Sequence, residues 1–213
     1  GKSIVAESLI TNNIYSTSGD ITLDAAGGDV NILQADLNLP ATKGLYLDGG
    51  DNTFIYESSA DAVRHVVGGD VVMILSEGGS AGNLVNFGTS AAGFTKQDVT
   101  YNATTTTVPF ATFGLKAEVL FNGGNITNLR LTFPDVSCNC VLLIVQDGTG
   151  GRTITNYKTF DQAIGNEDTL YFPNGGTSPT LTTTAAGIDI LSIFWDNSRH
   201  KAYGVMSLDF EAS

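Results

Sequence analysis

The commonest reactive group in this chain is the carboxylate, supplied by 22 Asp and Glu residues. Two carboxylates held about 5 to 9.5 Å apart can hydrolyse a glycosidic bond. Asp48, Asp51, Glu57, Asp61, Asp70 and Glu77 lie close enough along the sequence to be considered for that work. Their context favours a plainer role. Asp48 and Asp51 bracket Gly49-Gly50, a turn in which Asp side chains bond nearby backbone amides, and Glu57 projects from a strand-like run into solvent. A pair tuned for catalysis sits in a deep cleft, and no segment here is long enough to build one. The same acidic turn could offer oxygens to Ca²⁺, but the positional pattern of an EF-hand loop is missing.

Hydrolytic and phosphate chemistry fare no better. His65 follows Arg64 and His200 follows Arg199, each in a segment expected at the surface, and no Gly-x-Ser-x-Gly elbow exists to partner either. Gly148-Thr-Gly-Gly-Arg152 has the glycines of a phosphate loop but neither the Gly-Lys-Ser/Thr ending nor a following helix, and it reads as a hairpin loop. Cys138 and Cys140 flank Asn139. On a strand their side chains share a face with Cα atoms about 7 Å apart, too far for a relaxed bridge, so two buried thiols are expected. The chain is read as non-enzymatic, with no metal and no cofactor.

The elements available to position anything are short strands. Gly (25 copies) with frequent Thr, Ser and Asn favours turns and strands over helices. The 213 residues suffice for one large β domain or two smaller ones. Apolar residues make up 42% and charged residues 15%, so the chain hides more surface than its own folding can cover, and oligomerisation is expected. The formal charge of −12 divides after Thr112 into 4 basic against 12 acidic residues, then 6 against 10. No basic cluster is concealed, which argues against nucleic acid and against an anionic membrane surface. No run reaches the roughly 20 apolar residues of a membrane helix, so membrane insertion is not expected.

Residues 1–95 repeat loosely, with strand-like runs at Ile4–Ile10, Asp20–Asp24, Asp29–Leu33, Gly44–Asp48, Thr53–Glu57 and Asp70–Leu75. Gly-rich turns separate them at about 8 to 12 residues, the rhythm of β meanders or a winding β structure. Each run is too short to bury a face alone, and copies of the same chain around a common axis could supply the neighbours. Helical character is confined to Ala60–Val67. Residues 96–112, with four consecutive Thr and Pro109, read as a transition or linker.

Stronger strands fill 113–213. Leu115–Phe121 and Ile126–Phe133 are joined by Asn122-Gly-Gly-Asn125, a hairpin signal. Val141–Val145 and Ile188–Trp195 are apolar on both faces and are expected to be buried on each side. Asp196-Asn-Ser198 turns the chain into a terminal hairpin with Lys201–Phe210. The fold expected is all-β, an elongated repetitive region followed by a β-sandwich or jelly-roll-like domain.

Gly44-Leu-Tyr-Leu-Asp-Gly-Gly-Asp-Asn-Thr-Phe-Ile-Tyr-Glu57 with Val71–Leu75 resembles the recurring element of bacteriophage tail-fibre shafts. Gln146–Thr155, Gly175-Gly176, Pro179–Thr182, Asp189–Ser192 and Tyr203–Val205 resemble, in order, a C-terminal domain carried by such proteins. The resemblance implies a homotrimer on a virion, at the distal tail fibre beside other tail proteins, attaching to a host surface glycan or outer-membrane protein. A tail-associated polysaccharide depolymerase and a bacterial surface adhesin are the alternatives. The chain lacks the His-x-His repeats that some fibre tips use to hold metal. Sugar sites pair an aromatic face with amide or carboxylate side chains, which makes Arg152, Tyr157, Tyr171, Asn174, Trp195 and Asn197 the candidates for receptor binding. For Trp195, core packing or subunit contact is the preferred reading.

Overall fold

In the computed structural model, residues 39, 42–49, 52–77 and 83–210 are described. The chain divides into two units, Gly1–Ala91 and Ala92–Ser213. In the first, β1 (Gly44–Tyr46), β2 (Phe54–Ser59), β3 (Ala62–Val67), β4 (Asp70–Ser76) and β5 (Leu84–Asn86) pair antiparallel in chain order. This is the meander that the spacing of turns implied. Ala60–Val67 is not helical. Val63 and Val66 are β-branched and pair on both sides, Val67 pairs with Asp70, and Gly68 and Gly69, at φ 63° and 90°, reverse the chain into β4. Val66 is the only buried apolar residue among the described residues of this unit. The runs at Ile4–Ile10, Asp20–Asp24 and Asp29–Leu33, and Asp51, lie outside the described residues.

The second unit contains β6 (Gln97–Val99), β7 (Thr105–Pro109), a short helix α1 (Phe110–Phe113), β8 (Lys116–Leu120), β9 (Ile126–Phe133), β10 (Cys138–Val145), β11 (Ile154–Asp161), β12 (Asn166–Thr169), β13 (Ile188–Asp196) and β14 (Lys201–Phe210). They form a five-stranded sheet, β14-β13-β10-β8-β6, and a four-stranded sheet, β12-β11-β9-β7. From β6 to β11 the chain alternates between the two sheets, and within each sheet the successive strands run parallel. The expected hairpin across 122–125 is therefore a crossover. Phe121 and Ile126 at its two ends are both buried, so the turn must pass around the edge of the core rather than fold one strand onto the next. The terminal hairpin of β13 and β14 forms as read from the sequence.

Residues 96–112 are not a linker. β6 edges one sheet and β7 edges the other, with Thr106 and Val108 fully buried. The Thr run was underrated because alternate Thr residues can face a core when the hydroxyl is bonded. Thr106 Oγ1 donates to the Asn102 carbonyl at 2.8 Å and accepts from the Asn102 amide at 2.9 Å. Pro109 ends β7, which pairs only with β9, so its missing N–H interrupts no central ladder.

Between the sheets lies one core in which Val119, Leu129, Leu131, Phe133, Leu142, Leu191 and Trp195 interlock. Trp195 stacks on Phe133 with centroids 4.7 Å apart and planes 6° apart, and its Nε1 donates to the Pro134 carbonyl at 2.9 Å. Leu142→Ala, at the centre of β10, is expected to lower the unfolding free energy by about 2–5 kcal/mol in a denaturant titration. Thr132→Ala, on the outside of β9, should change it by less than about 0.5 kcal/mol.

Candidate functional site

Strand side chains alternate, so every strand of a two-sheet domain presents one row to the core and one outward. The outer row of the four-stranded sheet is polar, with Asn128, Arg130, Thr132, Asn156 and Lys158. Arg130 lies 4.0 Å from the Phe160 ring centroid and pairs with Glu167 at 3.0 Å. The outer row of the five-stranded sheet is different. The pairings place Val141, Leu143 and Val145 of β10 beside Ser192, Ile190 and Ile188 of β13. Phe194 pairs with Tyr203, Ser192 with Val205, and Val145 with Leu120. Phe194, Val205 and Leu120 are 45%, 57% and 51% exposed. The strands expected to be buried on both faces are buried on one.

A groove of about 700 Å³ opens on this outer face, lined by Asn139, Val141, Tyr171, Pro173, Phe194, Tyr203 and Val205. Its wall is an added strip of chain. The Tyr171 amide donates to the Ala202 carbonyl at 3.0 Å and the Gly204 amide donates to the Tyr171 carbonyl at 2.9 Å. The Tyr171 and Tyr203 rings lie 6.0 Å apart. Gly204 lets the strip approach, since a Cβ there would lie 2.9 Å from Leu170 Cδ2 and 3.1 Å from Leu191 Cδ1. Lys201 pairs with Asp168 and stands 5.2 Å from the Tyr171 ring, which seats the aromatic rim. Lys201 also holds the Asp168 carboxyl below its ordinary range.

Three consecutive residues at the β13–β14 turn each engage a carboxylate. Arg199 Nη1 donates to Asp196 Oδ2 at 2.6 Å, His200 Nδ1 bonds Asp161, and Lys201 bonds Asp168. Asp161 and Asp168 belong to the opposite sheet, so the turn clasps one sheet to the other. A polar cleft of about 170 Å³ lies among these groups. The imidazole and the buried Asp161 have the arrangement of a base with its orienting acid. Among the described residues, however, no hydroxyl or thiol is hydrogen-bonded to His200, so no nucleophile completes a triad. His200 is thus no free surface residue, and only the fold could reveal this, because Asp161 is 39 positions away.

The loop from Gln146 to Arg152 is locked from within. Asp147 accepts from the Gly123, Thr149 and Gly150 amides at 3.0–3.1 Å and from Arg152 Nε at 2.8 Å. Gln146 exchanges two bonds with the Arg152 backbone at 2.7 and 3.0 Å. Burial pushes the Asp147 carboxyl up, but Arg152 and the three amides outweigh it and hold it at about 2. Ser198 and then Arg199 hold Asp196 at about 2 as well.

The six candidate receptor residues are not gathered into one site. Trp195 and Tyr157 are buried, at 1% and 4% exposure, because both rows they occupy face the core, and neither can meet a receptor. Burial also pushes the Tyr157 hydroxyl well above its usual range. Arg152 is committed to Asp147. Asn197 is tied across the end of the domain, its Nδ2 donating to the Asp135 carbonyl at 2.8 Å. Tyr171 rims the groove and Asn174 stays exposed in the following turn at φ 56°. Phe194 and Tyr203 were missed as surface residues, although their apolar alternation was the available signal. Cys138 and Cys140 are free thiols with sulfurs 3.7 Å apart, both pushed up by burial. No group of three or more His, Cys, Asp and Glu side chains able to hold a metal occurs among the described residues.

Comparison with protein-family models, with curated proteins and with solved structures finds no match to the chain. The surface itself is suited to non-covalent burial of apolar groups.

Two outcomes test the clamps. Gly150 sits at φ 73° with an added Cβ only 2.4 Å from the Thr183 carbonyl oxygen, so Gly150→Ala should cost about 2 kcal/mol or more in chemical unfolding. Asp147 and Asp196 are depressed from the ordinary 3.8 to about 2, so their stabilisation is complete above the unfolded value and is lost as pH falls through about 2. The calorimetric midpoint should fall steeply from pH 4 to pH 2, and less steeply in the Asp147→Asn, Asp196→Asn double variant.

Proposed function

We propose that the chain is a structural and host-attachment component of a bacteriophage tail fibre, acting as a homotrimer without catalytic chemistry. The carrying observation is the apolar outer face of the five-stranded sheet, which suits a subunit made to be covered. The scarcity of buried side chains in the described part of the first unit points the same way. It is the condition of short strands that rely on neighbouring copies in an elongated shaft. The locked loops at 146–152 and 196–201 give the second unit the rigidity of a presenting tip domain. The remaining recognition candidate outside the groove is the exposed amide of Asn174, chemistry suited to a host glycan or an outer-membrane protein. Copies of the site in one fibre would raise a weak single affinity by avidity.

The test uses immobilised lipopolysaccharide and capsular polysaccharide from a panel of bacteria. Expected are retention of the protein by at least one surface and no release of reducing ends. Asn174→Gly, which keeps the left-handed backbone and removes the amide, should weaken retention about tenfold, a hot-spot-sized loss. Release of reducing ends would establish the depolymerase instead.

A further inference from the structure

Within one domain, in one solvent, the two sheet exteriors differ. The four-stranded sheet follows the ordinary rule of an apolar inside and a polar outside, and the five-stranded sheet is apolar on both sides along β10 and β13. Three adjacent strands, β14, β13 and β10, each about 4.8 Å apart and with about eight residues rising about 3.3 Å each, make a face of roughly 14 by 26 Å, on the order of 400 Å². That is as large as the biggest patch a typical single-chain protein leaves bare, and it supplies about half of the roughly 800 Å² each partner gives to a stable interface. The outward positions of β10 and β13 are Asn139, Val141, Leu143, Val145, Ile188, Ile190, Ser192 and Phe194, without one charge. Charges border these two strands, since on β8 Lys116 pairs with Val141 and Glu118 with Leu143, and beyond them Lys96 bridges Asp98 at 3.1 Å and Glu118 at 2.6 Å. A charge-free centre with a charged rim is the composition of a permanent interface. Transient interfaces are about as apolar as ordinary surface.

The same face also carries both halves of a fit. At the β14–β13 side is the groove walled by Phe194, Tyr203 and Val205, and on β8, beyond β10, Leu120 projects at 51% exposure. Groove and projection lie at different places on one surface, so joining them between identical chains is a head-to-tail contact, which closes into a ring if the rotation allows. We propose that the outer face of the five-stranded sheet is covered by other copies of this chain, the Leu120 margin of each seating against the Phe194–Tyr203 groove of the next. This rests on the trimeric reading above and assigns the residues through which the copies meet.

Two measurements on the full chain test it. In light scattering after size exclusion, the parent protein is expected at three chain masses, with Leu120→Glu and Phe194→Glu each falling about threefold to one. Thr132→Glu, on the polar exterior of the other sheet, should leave the mass unchanged, and circular dichroism shows whether each variant is folded. In the second, Leu120→Cys and Phe194→Cys are placed in the same chain and exposed to a mild oxidant such as copper phenanthroline. The double variant should give disulfide-linked multimers on a non-reducing gel, and each single variant should not. The native thiols, half-buried at Cys138 and buried at Cys140, supply the background control in the parent protein.

A multimeric parent whose mass ignores both Glu substitutions and whose double Cys variant does not cross-link overturns this assignment and leaves the trimeric fibre standing. Cross-linking in the single variants would mean like faces meeting like, and would overturn the head-to-tail arrangement. A parent at one chain mass overturns both.

Discussion

A β-strand has two faces, and a domain of two sheets can bury only one face of each. Everything distinctive here follows from β10 and β13 carrying apolar residues on both. Leu142, Ile144, Leu191 and Ile193 fill the core, while Val141, Leu143, Ile190 and Phe194 alternate with them and have no core to enter. Such strands are ordinary when a second layer covers them. In this chain the four-stranded sheet already occupies one side. The other side stands open to solvent among the described residues, with an uncharged groove at one end and Leu120 projecting at the other.

Winding is what lets these strands stand next to one another. β6, β8 and β10 are parallel neighbours although separated in sequence by strands of the opposite sheet, so each connection crosses the end of the core. Those connections are anchored by the buried Phe110 and Phe121, and the turns at the ends of the domain are stabilised by side chains that replace missing backbone partners. Asp147 gathers three amides and a guanidinium, Gln146 pairs with the Arg152 backbone, and the buried Asp189 accepts from the Thr182 and Asp209 amides at 2.9 and 3.0 Å. A buried amide left unmet in these turns would cost about 1–3 kcal/mol, more than the net gain of about 0.5–1.5 kcal/mol from a hydrogen bond. The ends of the domain are therefore as constrained as its centre, which a surface built to hold its shape requires.

The β class, the meander rhythm of 44–76 and the terminal hairpin were legible because they are local, set by glycine turns and by period-two alternation. The crossover at 122–125 was not. Asn-Gly-Gly-Asn suits a hairpin equally well, and only the pairing of β8 with β10 and of β9 with β11, in different sheets, decides against one. The fate of the candidate residues was hidden for the same reason. Trp195 and Phe194 are adjacent in sequence and equally apolar, yet period two sends one to the core and the other to the surface, and which goes where depends on the sheet opposite. Arg152 and His200 looked like free surface cations because their carboxylates, Asp147 and Asp161, are recognisable as partners only once the loops are closed.

Charge and apolar surface have to coexist in a chain of net charge −12. Five of its ten Lys and Arg residues, Lys96, Arg130, Arg152, Arg199 and Lys201, are committed to ion pairs inside the second unit. Among the described residues the outer rows of β10 and β13 carry no charge and are bordered by Lys116 and Glu118 of β8. Copies of such a chain repel at long range, and in physiological salt that repulsion is screened within about 8 Å. Contact between uncharged faces is governed instead by the area they remove from water, which salt does not weaken. The placement of charge therefore opposes indiscriminate association through most of the surface and leaves one face on which association is favoured.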